Sequence, residues 1–408
     1  MATSSRTVVI AGAGIAGLTT ALGLAQRGLR AVLLDQTERL DEAGAGLQLS
    51  PNASRVLIDL GLGDRLRAAA VVPQAVRILR AYDGSEVARI PLAQAASRFG
   101  APYWVIHRGD LQSVLLDAAR AQPDVRVVLG VRFDRFALHA NGVTVKGVRA
   151  RPDPNGPAGF DANGIALVGA DGLWSSVRSQ LGDQEPARFA GRVAYRAVVP
   201  ADMVAASARE PMINLWLGPR CHLVHYPVAG GRLINLVAIA EDAWNEQGWS
   251  TGSAPAEVLA RYPLGRWSRA ARDLIGMPER WLKWALYDRQ PSNNWGEGPV
   301  TLVGDAAHPM LPFLAQGAAM AIEDAALVAA QIASNPTDLA AGLRAYEAER
   351  RARTTRMQRD ARRTGTFYHY SGPDAFARNL LLRALGGEWL LRRFDWIYGW
   401  RGPEPAKG

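Results

Sequence analysis

Apolar and polar positions along the chain alternate between a period of two and a period near 3.6, and each change of period marks an element. Residues 7–11 (TVVIA) form a short β-branched run, residues 16–27 carry apolar side chains at helical spacing, and a second short run follows Gly28 over residues 31–34. This order predicts one βαβ unit. A second helix is predicted over residues 51–60, with Pro51 in its first turn and Gly61 as its stop. Residues 75–92 read as two strands hinged at Asp83-Gly84, which predicts departure into a second sheet. A helix over 110–120 precedes strands at 125–129, 132–138 and 143–148, the last pair turned by Asn141-Gly142.

Residues 151–164 (RPDPNGPAGFDANG) read as a turn-rich loop, after which a strand at 165–169 runs into a helix starting near Ser175. From 192 to 286 the pattern is strands with aromatic punctuation, broken by a helical stretch at 254–275. A buried strand at 300–303, an Ala-rich helix at 316–333 and a polar, Arg-rich helix at 338–365 follow. The last forty residues carry Trp, Leu and Arg without a clear period.

With 408 residues and 48% apolar side chains, the chain buries enough surface for two or three domains. Its formal charge of +9 suits an anionic small molecule. The basic residues are scattered, so no nucleic-acid arm is expected. The Arg cluster at 350, 351, 353, 356, 359, 362 and 363 spaces its charges around a helix and reads as a solvated face. Cys221 is the only cysteine, which excludes an internal disulfide or a multi-thiolate metal site and points to a reducing cytoplasm. The start of the chain lacks the n-region and h-region of a secretion signal, and apolar stretches such as 325–333 fall short of a spanning helix, so no integral membrane association is expected. No metal is called for.

Gly12-Ala13-Gly14-Ile15-Ala16-Gly17 is G-x-G-x-x-G between a predicted strand and helix. Gly12 permits the tight turn, Gly14 lets backbone approach a pyrophosphate, and Gly17 lets helix and strand pack closely. Asp35, closing the second strand, is placed to accept from a ribose diol. Two more turns follow: Leu167-Val168-Gly169-Ala170-Asp171-Gly172 and Val303-Gly304-Asp305-Ala306-Ala307-His308-Pro309. Either alone also describes a strand-to-turn junction with a capping Asp.

Together, in this order, the three turns resemble the fingerprints of flavoprotein hydroxylases. From residue 7 to about 400 the chain is similar to the single-component aromatic hydroxylases, typified by salicylate hydroxylase and 3-hydroxybenzoate 6-hydroxylase. The resemblance includes 191–198 (GRVAYRAV), 216–231 (WLGPRCHLVHYPVAGG) and 304–324 (GDAAHPMLPFLAQGAAMAIED). It implies an α/β fold: a Rossmann-like FAD-binding domain of the p-hydroxybenzoate hydroxylase type, an interleaved mixed-sheet substrate domain and C-terminal helices. The expected division assigns 1–72, 106–182 and 287–345 to FAD, 73–105 and 183–286 to substrate, and 346–408 to a C-terminal helical segment.

The resemblance further implies FAD bound near Asp171 and the flavin side chain contacted by Arg108, with Gln112 close by. Asp305 is expected on the ribityl chain, and Gly317 at a helix N-terminus facing the flavin pyrimidine. It implies NADH or NADPH as electron donor, O2 as oxidant through a flavin C4a-hydroperoxide, and hydroxylation of a small aromatic acid or phenol by a monomer or homodimer.

In the strand 221–226, His222, Val224 and Tyr226 share one face. His222 is the candidate base for a substrate hydroxyl and Tyr226 the candidate for orienting it; a His and Tyr that merely complete hydrogen bonds at a sheet edge fit the same spacing. Gln48 is a further candidate wall residue. Pro312 stands where the 3-hydroxybenzoate enzymes tend to carry Gln, and His308 reads as structural. The alternatives are a same-fold monooxygenase or reductase acting on a polyketide or isoprenoid, and a nucleotide-binding protein without redox activity.

Overall fold

The structure is a computed structural model that describes residues 6–40, 45–151, 159–244, 248 and 250–404. Thr7–Ala11 lies at the middle of a five-stranded parallel sheet in the order Val300–Leu302, Ala166–Gly169, Thr7–Ala11, Arg30–Asp35, Val125–Leu129. Val8, Val9, Ile10 and Ala11 are fully buried, as a parallel strand covered on both faces must be. On one face packs Ile15–Ala25, and Gly317–Ser334 lies against that helix, brought close where Gly23 faces Ala329. A three-stranded antiparallel sheet, Val131–His139, Gly142–Arg149 and Gly159–Gly164, joins the same core through Phe133, Phe136, Val145 and Phe160.

The third strand of that small sheet corrects the expectation of a loop over 151–164. Phe160 and Ala162 alternate inward, and the segment pairs along its own whole length with residues 143–148 of its neighbour. Turn-forming Asp, Asn and Gly concealed a two-residue period too short to stand out. Residues 152–158 of the expected loop lie outside the described residues.

Gly317–Ser334 has the length and composition to cross a membrane, longer than the apolar stretch expected, but 61% of it is buried inside the protein. It is a core helix, with its apolar character spent on Ile15–Ala25, Leu339–Tyr368 and Pro51–Asp59.

The second large sheet has eight strands in the order Ser250–Ser253, Trp281–Asp288, Arg188–Pro200, Leu233–Glu241, Cys221–Val228, Met212–Gly218, Ala75–Arg80, Glu86–Pro91. It is mixed: Met212–Gly218 runs parallel to Ala75–Arg80, and the other pairs are antiparallel. The helical stretch expected at 254–275 is two helices, Pro255–Arg261 and Arg269–Gly276, because Pro263 and the left-handed Gly265 separate them.

The C-terminal forty residues are also ordered. Gly372–Arg392 is helical with a break at Gly386 (φ 70°), and Asp395–Tyr398 adds one turn. The break resets which face points inward, so no single period runs through the segment. The Arg-rich helix, Leu339–Tyr368, is not a uniformly solvated face. Arg350 is fully buried between Glu323 and Asp324, Arg353 binds Glu323, and Arg362 pairs with Asp288, while Arg356, Arg359 and Arg363 are exposed.

Candidate active site

The first turn is built by steric exclusion. Gly12 has φ +105°, and a Cβ there would lie 2.3 Å from the Ala170 carbonyl oxygen; a Cβ on Gly17 would lie 1.9 Å from the Gly12 oxygen. Only glycine fits either place. Gly14 differs: its Cβ position meets nothing within 4 Å, and the residue lines the main cavity. That bare backbone at the start of a helix is a cradle for a phosphate.

Asp35 braces this turn from behind. Its Oδ2 accepts from the Ala13 amide at 2.7 Å and its Oδ1 from the Thr37 amide and hydroxyl at 2.8 and 2.7 Å. Gln112 donates to the Ala13 carbonyl at 3.2 Å, while its own buried Oε1 has no partner among the described residues. An orphaned buried acceptor beside such a loop is what a bound ligand would satisfy.

Asp171 is a brace as well and not a cavity wall. Its carboxylate accepts from the Ser175 hydroxyl and from the amides of Ser176 and Val177 at 2.6, 2.8 and 3.1 Å, capping Ser176–Gln180 and fixing the Ala170–Gly172 turn, whose backbone does face the cavity. Arg178 then bridges that turn to the third, donating to the Leu173 and Ala306 carbonyls.

The third turn hangs from Asp324, whose Oδ2 accepts from the Gly304 amide at 2.8 Å and contacts His308 Nε2 at 2.5 Å. His308 is thus structural. Asp305 is left facing the open space of the cavity, its carboxyl raised by the desolvating protein around it against the opposing pull of His308 and Arg108. Gly317 opens its helix at the same cavity.

The cavity, about 410 Å³, runs from these turns to the large sheet, within the range of about 300–1,000 Å³ usual for small-molecule sites. His222 and Tyr226 both face it, as do Gln48 and Pro312. Gln48 accepts from the Tyr103 hydroxyl at 2.7 Å and lies in hydrogen-bonding contact with Tyr226. Pro312, Phe313 and Leu314 form an apolar wall that ends in Ala315, itself left-handed at φ 52°.

Sequence reasoning missed two residues of this site, one at the cavity and one behind it. Arg196 is half-buried against the cavity, its Nε shielded and without a hydrogen-bond partner among the described residues, and it lies close enough to Arg108 to depress it further after desolvation has done so, to about 10. Two half-buried cations side by side, with Asp305 near Arg108, leave this wall of the cavity suited to an anion. Its position in the alternating run 192–199 was the available signal. The other is His369, whose Nε2 lies 2.8 Å from His222 Nδ1. It sits 147 residues away in a stretch with no readable period, and no sequence signal pointed to it.

Burial, then the neighbouring His369 and Arg192, holds His222 well below the usual histidine range; burial likewise takes His225 to about 3 and His369 to about 4. All three are neutral near pH 7. The unfolded chain takes up these protons below about pH 6.5, so their contribution to stability is complete above that value and is lost as the pH falls. Each contributes a slope of about 1.4 kcal/mol per pH unit. Chemical denaturation at pH 7.5 and 5.5 is expected to show a clearly lower midpoint at pH 5.5; equal midpoints would contradict the neutral, buried state of these rings.

Comparison with known proteins agrees with this geometry. Residues 5–361 match the family described as FAD binding domain. The 3-hydroxybenzoate 6-hydroxylase of Polaromonas naphthalenivorans (strain CJ2) is 39% identical over 395 residues, covering 96% of each chain. The 3-amino-4-hydroxybenzoate 2-monooxygenase PtmB3 of Streptomyces platensis is 34% identical over 394 residues, covering 96% of this chain and 95% of its own. Among solved structures, a salicylate hydroxylase substrate complex matches with a TM-score of 0.79 at 27% identity, covering 98% of this chain and 96% of the other.

Proposed function

We propose, from the premise that the chain belongs to the FAD binding domain family and is an FAD-dependent aromatic hydroxylase, that it uses NADH or NADPH and O2 to place one oxygen atom on a small hydroxylated aromatic acid. The observation that carries this reading is Arg196, a half-buried guanidinium facing the same cavity as the neutral His222 and the phenol of Tyr226. A benzoate-sized ring with a carboxylate at one edge and a hydroxyl at another matches that wall.

The residues fit FAD. The bare backbone of Gly14 would meet the pyrophosphate, Gln112 and Arg108 the adjoining chain, and Asp305 the ribityl hydroxyls, while the amide end of Gly317–Ser334 would stabilise negative charge on the pyrimidine side. Bound FAD, once reduced by the nicotinamide, supplies activated oxygen from O2.

The protein does the rest. Arg196 binds the substrate carboxylate, and Tyr226, steadied by Gln48, orients the ring. His222 takes the hydroxyl proton at its second ring nitrogen, raising electron density in the ring. Pro312, Phe313 and Leu314 exclude water. We place this chemistry between an FAD unit (1–72, 106–182, 287–345) and a substrate unit (73–105, 183–286), closed by 346–408, in a cytoplasmic protein.

The test is oxidation of NADH and NADPH with simultaneous O2 uptake by FAD-loaded protein, over salicylate, hydroxybenzoates and hydroxynicotinates, with products identified by mass. The expected result is one acid that accelerates oxidation and gains one oxygen. Acceleration yielding only hydrogen peroxide would mark that acid as an effector. Oxidation unmoved by every acid would sink the aromatic-acid reading.

A further inference from the structure

Behind His222, on the side away from the cavity, a line of titratable side chains leads outward. His222 Nδ1 faces His369 Nε2 at 2.8 Å, and His369 Nδ1 faces Glu241 Oε1 at 3.6 Å, which is ion-pair reach though long for a hydrogen bond. Both rings are buried, whereas the Glu241 side chain is 30% exposed. It opens into a second, solvent-facing cleft of about 410 Å³ lined also by Arg192, Arg220, Asp242 and Arg261.

The turn beside this line is held in an unfavourable shape. Arg220 is left-handed at φ 60°; its amide donates to the His369 carbonyl at 3.1 Å, its carbonyl accepts from the Glu241 amide at 3.0 Å, and its guanidinium holds Glu241 Oε2 at 2.7 Å. A non-glycine residue persists there only when its surroundings over-determine it. Here they tie the strand ending at Glu241, the hairpin turn and the C-terminal His369 into one unit.

We infer that His369 and Glu241 form a proton relay, connecting His222 in the active-site cavity to the solvent-facing cleft. The inference rests on the reading of His222 as the acceptor of a substrate hydroxyl proton. The Glu241 carboxylate favours a proton on His369 Nδ1, so His369 Nε2 accepts and His222 carries its proton on Nδ1. His222 Nε2 is then left with the lone pair that a base needs. When it takes the phenolic proton, the Nδ1 proton passes to His369 Nε2, the His369 Nδ1 proton passes to Glu241, and Glu241 releases one proton to water. One proton leaves the phenol, one enters solvent, and no electrons move.

The relay answers a difficulty in the site. A ring buried as His222 is makes a poor resting place for positive charge, and handing the proton on removes the need to hold it. The charged groups around the pair are Glu241, Arg192 and Arg378; Tyr262, Tyr368 and Phe313 complete its surroundings. His369 is a positioning residue, because it acts only through His222.

Two measurements on the FAD-loaded full chain decide this. Long-range nitrogen–proton NMR at pH 7.5 is expected to show two neutral histidines protonated on Nδ1, one lost in His222→Gln and the other in His369→Gln. An Nε2-protonated form for both overturns the relay. Rapid mixing with the hydroxybenzoates, without nicotinamide, then reads proton release by indicator dye and phenolate by absorbance. His369→Gln is expected to slow proton release at least 10-fold with hydroxybenzoate affinity and FAD content unchanged, and added imidazole is expected to restore it. An unchanged rate, or slowing that merely tracks lost affinity or lost FAD, overturns the relay. If no hydroxybenzoate binds, the substrate reading falls instead, and the NMR result still decides the wiring.

Discussion

Replacing His222 by Gln is expected to slow turnover by about 10²- to 10⁴-fold, the usual contribution of a positioned general base, while FAD affinity stays unchanged. The separation follows from where the residue stands. His222 projects from Cys221–Val228 in the large sheet, and the dinucleotide turn, the Ala170–Gly172 turn and Asp305 belong to the other. Its ring meets His369, Phe313 and Tyr368, none of them part of those turns. Steady-state kinetics beside an FAD titration reads both quantities. Unchanged turnover would move the base elsewhere; a parallel loss of FAD would make His222 a packing residue.

Arg350→Met is expected to destabilise the protein by about 3–5 kcal/mol, the effect of stripping the partner from buried charges, and to weaken FAD binding as well. Arg350 Nε lies 2.6 Å from Asp324 and its Nη1 2.5 Å from Glu323, both carboxylates being fully buried. Asn52 and Arg353 share Glu323, but among the described residues Asp324 keeps only His308 and the Gly304 amide if Arg350 goes. An under-compensated Asp324 shifts, and with it the turn that holds Asp305 at the cavity. Arg359→Met, on the exposed side of the same helix, is the comparison and is expected to stay within about 0.5 kcal/mol. Denaturant midpoints and FAD content measure both. Similar midpoints for the two variants would remove the buried network from this account.

That contrast shows where sequence periodicity stops. On a helix of alternating Arg and polar residues, charge alone reads as solvent, and nothing local distinguishes Arg350 from Arg359. The difference is made by Glu323 and Asp324, some 26 residues earlier on Gly317–Ser334. Two Asp residues of the motifs show the same limit. Asp171 and Asp35 stand where the pattern put them, but their carboxylates are engaged in bracing turns, a matter of side-chain direction that spacing does not encode.

What the sequence determined by itself was local and steric or periodic. The glycine turn followed from a backbone that tolerates no Cβ at Gly12 or Gly17, the buried parallel strands from continuous β-branched runs, and the shared face of His222 and Tyr226 from the period of a strand. Only the tertiary structure decided what distant segments do to one another. It set Arg196 beside Arg108 at one cavity, and it brought His369 from a stretch without readable period to the back of His222. Charge compensation and proton transfer act over a few ångströms in space, between residues that chain order separates by tens to hundreds of positions, so folding had to place them before their chemistry was visible.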